Sequence, residues 1–356
     1  MKDAPQPRAG VRDIARAAGV SLGTVHRALH GRADVNEKTR QKVLAAARRL
    51  GYQPNLTARA LASAKTTIRI GVCIPRKIRY FYDQMRDGIL EEAERYSHLG
   101  LEILYEPVPS LGSGEEAALT RMFSENVRAI VLTPGLPGRL TPLIDEAEKQ
   151  RGIRVVCVAS DDSSSARSTA ISVEPRLNGT LAAELMSKLT HPRARVAVIT
   201  GMMATEDHAG KVQGFAAEFQ RACPQGQLAA IIEDHQTERE SYVKSLELLR
   251  TEPELAGIYV STANCLPVCR ALQESGAAGR VKLITTDLFP EALPWFERNV
   301  ISASIYQHPY VQGQTAIRLL VDHFLQQAPL PATHYLNPAI VLKANLQLFR
   351  EIHARS

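Results

Sequence analysis

Several features of secreted, membrane-bound or catalytic proteins are scarce in this 356-residue sequence. Aromatic residues make up 5% of it, and its five cysteines are an odd number that stand mostly within apolar runs. Such cysteines indicate reduced, buried thiols rather than a disulfide scaffold. No apolar run reaches the roughly 18 residues of a membrane span, and no export signal opens the chain. We therefore expect a cytoplasmic protein without a membrane partner.

Metal-binding and catalytic constellations are also missing. Cys265 and Cys269 are four residues apart on a predicted helix, but no further cysteine or histidine stands at the spacing of a zinc site. Residues 112–117 (GSGEEA) fit a dinucleotide-binding glycine pattern, yet no strand runs into them and two glutamates stand where a phosphate would bind. The acid and base groups of residues 206–208 lack a nucleophile. We expect no enzyme, no cofactor and no metal.

Positive charge is concentrated at the N-terminal end. Residues 1–65 hold thirteen lysines and arginines against four acidic residues, whereas the whole chain has a formal net charge of +6. A basic head on a nearly neutral body is typical of a nucleic-acid-binding module. The alternative is a solvated basic surface without a partner, which the helix pattern of the same segment disfavours.

Residues 11–29 have the pattern of two short helices joined by a tight turn. The apolar residues of the first helix follow the i, i+3, i+4, i+7 spacing of one face: Val11, Ile14, Ala15 and Ala18. Gly19 ends this helix, and Ser21 is a suitable N-cap for the second. A third helix is expected after the N-cap Asn36. This helix-turn-helix pattern places the second helix in the major groove of DNA.

The order and spacing of these residues resemble the lactose-repressor (LacI/GalR) family. Three stretches carry the resemblance: Ala15-x-x-Ala18-Gly19-Val20-Ser21-x-x-Thr24-Val25, Val35-x-x-Lys38-Thr39-Arg40, and Gly51-Tyr52-x-Pro54-Asn55 followed by Ala58-Arg59-x-Leu61. His26 is a departure, because the family usually has a serine there. The resemblance implies a helix-turn-helix DNA-binding domain over residues 1–55, a hinge helix and linker over 56–67, and an effector-binding and dimerisation domain over 68–356.

The resemblance also implies which residues contact DNA. Leu22, Gly23 and Arg27 match the family's base-reading positions, and an arginine can bond O6 and N7 of one guanine together. A phosphate contact is the alternative for Arg27. Leu61 matches a leucine that wedges into a minor-groove step and bends the duplex, and the alternative is that it packs against its own domain. The other expected DNA-binding residues are Ser21, Thr24, His26, Asn36, Tyr52, Asn55, Ala58 and Arg59.

From residue 68 onward, short apolar strands alternate with amphipathic helices. This pattern is typical of doubly wound parallel sheets with helices on both faces. Two such halves in tandem suggest the bilobed α/β periplasmic-binding-protein fold, in agreement with the resemblance. We expect one lobe over approximately 68–172, a second over approximately 173–305, and a C-terminal segment that crosses back between them.

Ligands of such sheets bind at the carboxyl ends of parallel strands. Asp287 ends one predicted strand, and a carboxylate can accept hydrogen bonds from two vicinal hydroxyls. Gln307 ends the next strand, and both positions resemble the sugar-binding branch of the fold. Lys211 stands where the family usually has an arginine, so a point charge replaces a bidentate group. The other expected effector-binding residues are Arg76, Phe81, Tyr82, Asp83, His208 and Asn264; surface or capping roles are the alternative for each.

Together these patterns predict a homodimeric transcription regulator, expected to be a repressor. Its partners would be a near-palindromic double-stranded DNA operator and a small-molecule effector, expected to be a sugar. The chain end lacks a leucine heptad repeat, which favours a dimer over a tetramer. A solute-binding protein of a transporter is one alternative, and a sugar-modifying α/β enzyme is another. The basic head disfavours the first, and the missing catalytic constellation disfavours the second.

Overall fold

The structure is a computed structural model that describes residues 10–29, 35–50 and 67–353. Nothing is described of the side chains of His26 and of residues 350–353. The predicted hinge helix and the predictions for Tyr52, Asn55, Ala58, Arg59 and Leu61 lie outside the described residues. Two compact units are present: the first holds residues 10–50, which we call the head, together with residues 319–329, and the second, the body, holds residues 67–318 and 330–353.

The head consists of helices α1 (Val11–Ala18), α2 (Leu22–Leu29) and α3 (Glu37–Arg49). Gly19 ends α1 in the left-handed conformation, with φ of 65°, which favours glycine. Ser21 Oγ accepts a hydrogen bond from the Thr24 N–H at 3.1 Å, and Asn36 Oδ1 accepts one from the Thr39 N–H at 2.8 Å. Both predicted N-caps are therefore confirmed.

The three head helices enclose one apolar core. Its fully buried residues come from all three helices and from the turn before α3: Ile14, Ala15, Ala18, Val25, Ala28, Val35, Val43, Ala46 and Ala47. Leu50 and Val20 pack at its edge. The predicted apolar stripes therefore face one another, as the helical spacing requires.

The first lobe of the body is a six-stranded sheet in the order β11-β5-β4-β3-β1-β2, and every neighbouring pair is parallel. Its strands are β1 (Ile68–Cys73), β2 (Leu101–Tyr105), β3 (Ala129–Leu132), β4 (Arg154–Val158), β5 (Thr169–Val173) and β11 (Thr333–Leu336). The helices between them are α4 (Arg79–Glu94), α5 (Glu115–Met122) and α6 (Pro137–Asp145), which a π-helical turn (Glu146–Gln150) extends.

The second lobe repeats this architecture with the order β12-β10-β9-β8-β6-β7, and only β12 is antiparallel to its neighbour. Its strands are β6 (Arg195–Thr200), β7 (Gln227–Glu233), β8 (Leu255–Val260), β9 (Lys282–Thr286), β10 (Ile301–Tyr306) and β12 (Ala339–Val341). The remaining helices are α7 (Pro175–Leu189), α8 (Glu206–Ala222), α9 (Glu238–Thr251), α10 (Leu266–Glu274), α11 (Leu293–Glu297), α12 (Pro309–Gln326) and α13 (Leu346–His353).

Some elements differ from the sequence pattern. No strand is predicted for residues 169–173, where Thr169 and Ser172 interrupt the apolar residues, yet β5 is buried at every position of the sheet. The sequence pattern of residues 291–298 predicts one helix. In the structure, a 3-10 turn (Pro290–Ala292) precedes the shorter helix α11. Pro294 lacks the N–H that would continue the helix from this turn. Strands β11 and β12 were also not predicted.

Two helices that position the ligand site approach each other through glycines. A Cβ atom at Gly179 in α7 would lie 1.9 Å from the carbonyl oxygen of Lys211, and one at Gly214 in α8 would lie 2.1 Å from the carbonyl oxygen of Arg176. The backbones of α7 and α8 are therefore in direct contact, which fixes the position of α8 relative to α7.

All five cysteines lie in the described part of the chain and are buried without disulfides, as predicted. Among the described residues, no helix has the length and apolar character of a membrane span.

Candidate functional site

A cleft lies at the carboxyl ends of the strands, between the two lobes of the body. It has about 400 Å³ of empty volume, part of it open to solvent. Its polar lining residues are Thr133, Ser160, Thr205, Asp207, His208, Lys211, Gln236, Thr262, Asp287 and Gln307, and its aromatic ones are Phe81 and Tyr82.

Asp287 is held at the cleft floor by the end of β9. Its carboxylate accepts hydrogen bonds from the Gln307 backbone N–H at 3.0 Å and from Gln307 Nε2 at 2.7 Å. Asp287 is 1% exposed, and this burial raises its pKa to about 6, although nearby Lys211 acts in the opposite direction. The carboxylate is therefore ionised at neutral pH and still has acceptor capacity for a ligand.

Helix α8 contributes a buried ion pair to the cleft. Lys211 Nζ lies 2.6 Å from Asp207 Oδ2, and both side chains are buried. The sequence prediction included Lys211 but omitted Asp207, although the i, i+4 spacing of the two residues was a usable signal. His208 is beside them, and burial lowers its pKa to about 4. Its neutral ring accepts a hydrogen bond at Nδ1 from the Met202 N–H at 3.0 Å.

The first lobe contributes the buried aromatic side chains of Phe81 and Tyr82, whose rings meet edge to face at 5.1 Å. Three other expected effector-binding residues do not line the cleft. Arg76 is exposed, and Asp83 Oδ1 pairs with Arg86 Nη1 at 2.8 Å. Asn264 Nδ2 donates to Asp234 Oδ2 at 2.9 Å, which makes Asn264 a support of the loop beside the cleft.

Several cleft residues that the sequence analysis omitted have unusual backbone angles. Ile78, Ala159 and Gln236 have φ of 55°, 65° and 55°, and Asp287 has φ of 68°. The left-handed conformation costs non-glycine residues on the order of 1–3 kcal/mol each and clusters at functional sites. Four such residues line this one cleft. The fold therefore holds these loops in a defined arrangement.

Direct contacts join the two lobes around the cleft. The rings of Tyr80 and Phe289 stack with centroids 4.2 Å apart and planes 11° apart. Gln84 connects the same elements, because its Nε2 donates to the Leu288 carbonyl at 3.1 Å and its Oε1 accepts from the Tyr306 hydroxyl at 3.1 Å. The structure therefore has the lobes closed on each other.

In the head, the N-terminal end of α2 presents the expected DNA-contacting residues. Ser21, Leu22 and Gly23 are exposed, and Leu22 is 48% exposed despite being a large apolar residue. Thr24 and Arg27 are half-buried. Asn36 is exposed, and its side chain already accepts the capping hydrogen bond of α3. The N-terminal end of α2 is therefore available for an apolar contact and for a close approach of its backbone to a partner.

Comparison with known proteins identifies both parts of the chain. Residues 11–55 match the family of bacterial regulatory proteins of lacI type, and residues 70–327 match a periplasmic binding protein domain. Catabolite control protein A of Priestia megaterium is 28% identical over 348 residues, which cover 97% of this chain and 98% of that protein. Its counterpart in Streptococcus mutans is 44% identical over 88 residues, 25% of this chain and 26% of that protein.

Solved structures share the fold of the body. A solute-binding protein from Burkholderia graminis, in complex with D-arabinose, superposes with a TM-score of 0.72 at 21% identity, covering 78% of this chain and 96% of its own. GanP, a glucose-galactose binding protein from Geobacillus stearothermophilus, gives a TM-score of 0.71 at 22% identity, and the match covers 79% of this chain and 99% of the GanP chain.

The chain combines a basic helix-turn-helix head with a bilobed α/β sensor body, which defines a ligand-responsive DNA-binding protein. It belongs to the lacI family of bacterial regulatory proteins, with a periplasmic-binding-protein domain as its body. It is accordingly a sequence-specific DNA-binding transcription regulator.

Proposed function

We propose that the chain is a homodimeric, cytoplasmic repressor, not an enzyme, whose affinity for a near-palindromic operator changes when a sugar or sugar derivative fills the cleft. The observation that carries the proposal is the hydrogen-bonded pair of Asp287 and Gln307 at the cleft floor, with Phe81 and Tyr82 lining the first-lobe side. A carboxylate accepts from ring hydroxyls, and an aromatic ring covers the apolar face of a pyranose.

The sugars named with the similar structures support the same ligand class. The Burkholderia graminis protein was solved with D-arabinose, and an Actinobacillus succinogenes protein of the same fold was solved with D-allose. We propose that Asp207, His208 and Lys211 complete the effector site together with Asp287, Gln307 and the two aromatic side chains. Arg76, Asp83 and Asn264 are not included, because they lie outside the cleft lining.

For the DNA partner, we propose that Leu22, Gly23 and Arg27 contact base edges while Ser21, Thr24 and His26 contact phosphates or support the helix. Residues 1–55 would form the DNA-binding domain and 56–67 the hinge and linker, with Leu61 as the minor-groove wedge. Two-fold symmetry of the dimer would place one recognition helix in each operator half-site.

The proposed coupling follows from closure of the lobes. An effector that fills the cleft favours the closed arrangement, and one that lowers operator affinity must bind less tightly to the DNA complex. We propose that the Tyr80–Phe289 stack and the Gln84 bridge form when the lobes close. They supply the difference between open and closed states that such coupling requires.

A thermal-shift scan of the full chain tests the proposal. Monosaccharides, sugar acids, polyols, sugar phosphates and purines would be screened against the wild type, Asp287→Ala and the control Asp145→Ala. At a hundred times its dissociation constant a ligand stabilises by about 2.7 kcal/mol. We expect a sugar-like compound to raise the melting temperature of the wild type and the control but not of Asp287→Ala. If no sugar-like compound shifts the wild type, the sugar proposal is wrong.

A further inference from the structure

The cleft lining carries more negative than positive charge. Among the residues that the structure describes, Asp207, Lys211 and Asp287 are the only lining side chains with a formal charge. His208 adds no charge, because burial lowers its pKa to about 4. Two carboxylates and one ammonium group leave the lining with a net charge of −1.

The single ammonium group is already engaged inside the protein. Lys211 Nζ and Asp207 Oδ2 are 2.6 Å apart, and their side chains are 2% and 9% exposed. Removing one partner of such a buried pair leaves the other charge uncompensated, which strongly destabilises the fold. An anionic ligand would therefore have to compete with Asp207 for Lys211 and would also face the charge of Asp287.

Both carboxylates of the lining have unused acceptor positions. Asp207 Oδ1 is buried and has no hydrogen-bond partner among the described residues. The Asp287 carboxylate accepts two hydrogen bonds, both from Gln307, and an ionised carboxylate has about four acceptor positions. Thr133 Oγ1, also buried without a partner among the described residues, faces the cleft from the first lobe. Buried polar atoms of this kind need a partner, so these side chains leave positions for hydrogen-bond donors of a ligand.

We propose that the effector is a polyhydroxylated molecule without negative charge, either neutral or carrying an amino group, and that sugar phosphates and sugar acids are excluded. This inference rests on the proposed sugar-sensing function and narrows its ligand class. Hydroxyl or ammonium donors of the ligand would bond to Asp287 and to the free oxygen of Asp207. The preference against anionic ligands would come from the carboxylate of Asp287, whose charge no positive side chain of the lining balances. This carboxylate repels an anionic ligand without any additional contact.

Matched ligand series test this inference by isothermal titration of the full-length protein. Each series holds a neutral sugar, its amino sugar, its phosphate and its acid, for example D-glucose, D-glucosamine, D-glucose 6-phosphate and D-glucuronate, with corresponding D-galactose compounds. We expect a neutral or amino member to bind at least about tenfold more tightly than the anionic members, because like charges in a partly desolvated site repel strongly.

Each other result has a defined meaning. If a sugar phosphate or sugar acid binds as tightly as its neutral parent, this inference is overturned while the sugar-sensing function stands. If no member of any series binds, the sugar-sensing function fails and this inference fails with it.

The isosteric variant Asp287→Asn tests whether charge is the cause. This variant brings the net charge of the lining to zero. The preference for neutral or amino members over anionic members should therefore shrink by at least about tenfold. The control Asp145→Asn, outside the cleft, should keep the preference. An unchanged preference in Asp287→Asn would overturn the charge argument. Asp207→Asn would release Lys211 and should admit anions, and Asp287→Asn remains decisive if Asp207→Asn does not fold.

Discussion

Replacing Asp287 with asparagine should change how the stability of the body depends on pH. Burial raises the pKa of Asp287 from its ordinary value of 3.8 to about 6 in the folded protein. The folded state therefore holds this proton more tightly than the unfolded state. The stabilisation that results is fully present below about pH 4 and is lost as the pH rises through about 6. A pKa difference of this size corresponds to about 3 kcal/mol.

Asparagine does not titrate, so the comparison isolates this one group. The unfolding free energy of the wild type minus that of Asp287→Asn should fall by about 2 kcal/mol between pH 4 and pH 7. Asp234, whose pKa burial also raises to about 6, titrates in both proteins and contributes equally. The same measurement on Asp145→Asn should show no such fall, because the hydrogen bond from Lys149 lowers the pKa of Asp145.

Urea unfolding followed by tryptophan fluorescence measures this difference. The chain has one tryptophan, Trp295, which lies in α11 of the second lobe and reports on the body. Curves at several pH values from 4 to 7 give the unfolding free energies of both proteins by linear extrapolation. A difference that stays constant with pH, or rises with it, would refute the assignment of Asp287 as a buried carboxylate with a raised pKa.

Three further predictions follow from the geometry. Gly179→Ala should lower the thermal stability of the body by at least about 1–3 kcal/mol, because its Cβ would lie 1.9 Å from the Lys211 carbonyl, whereas Gly138→Ala, with open space around it, should not. Phe289→Ala should weaken lobe closure and increase the radius of gyration measured by small-angle X-ray scattering. Arg27→Ala should relax the base preference at one operator position by about 1–3 kcal/mol, measured by fluorescence anisotropy with operator variants.

These three predictions also have clear contradicting outcomes. Equal melting temperatures for the two glycine variants would mean that α7 and α8 separate easily. An unchanged scattering curve for Phe289→Ala would mean that its ring stack with Tyr80 contributes little to closure. Uniform loss of affinity across all operator variants of Arg27→Ala would identify a phosphate contact instead of base readout.

The head was predictable from sequence because its determinants are local. The i, i+3, i+4 spacing of Ile14, Ala15 and Ala18 and the capping side chains of Ser21 and Asn36 act within one or two helical turns. The alternation of strands and helices in the body was equally visible. Strand β5 was not, since Thr169 and Ser172 interrupt its apolar residues and are buried only because of their neighbours in the sheet.

The site was only partly predictable, for a physical reason. The position of Asp287 at a strand end was accessible, because strand ends of parallel sheets mark the ligand cleft. Asp207 and Thr133 come from distant parts of the sequence, and the closure of two lobes brings them to one cleft. Arg76 and Asp83 follow the same first strand as Phe81 and Tyr82, but only the latter two turn inward. Side-chain direction after a strand depends on the loop, as the left-handed Ile78 illustrates.

The edge strand β11 has a consequence for how the protein is made. Strand β11 (residues 333–336) forms one edge of the first-lobe sheet and pairs with residues 170–173 of β5. Roughly 160 residues separate β5 from β11 along the chain. A ribosome that adds about 5–20 residues per second therefore completes β11 roughly 8–30 s after β5. During this interval β5 is an unprotected edge, on which a nascent chain is exposed to mispairing. We expect a chain truncated before residue 333 to aggregate during synthesis even though it contains every residue that lines the cleft.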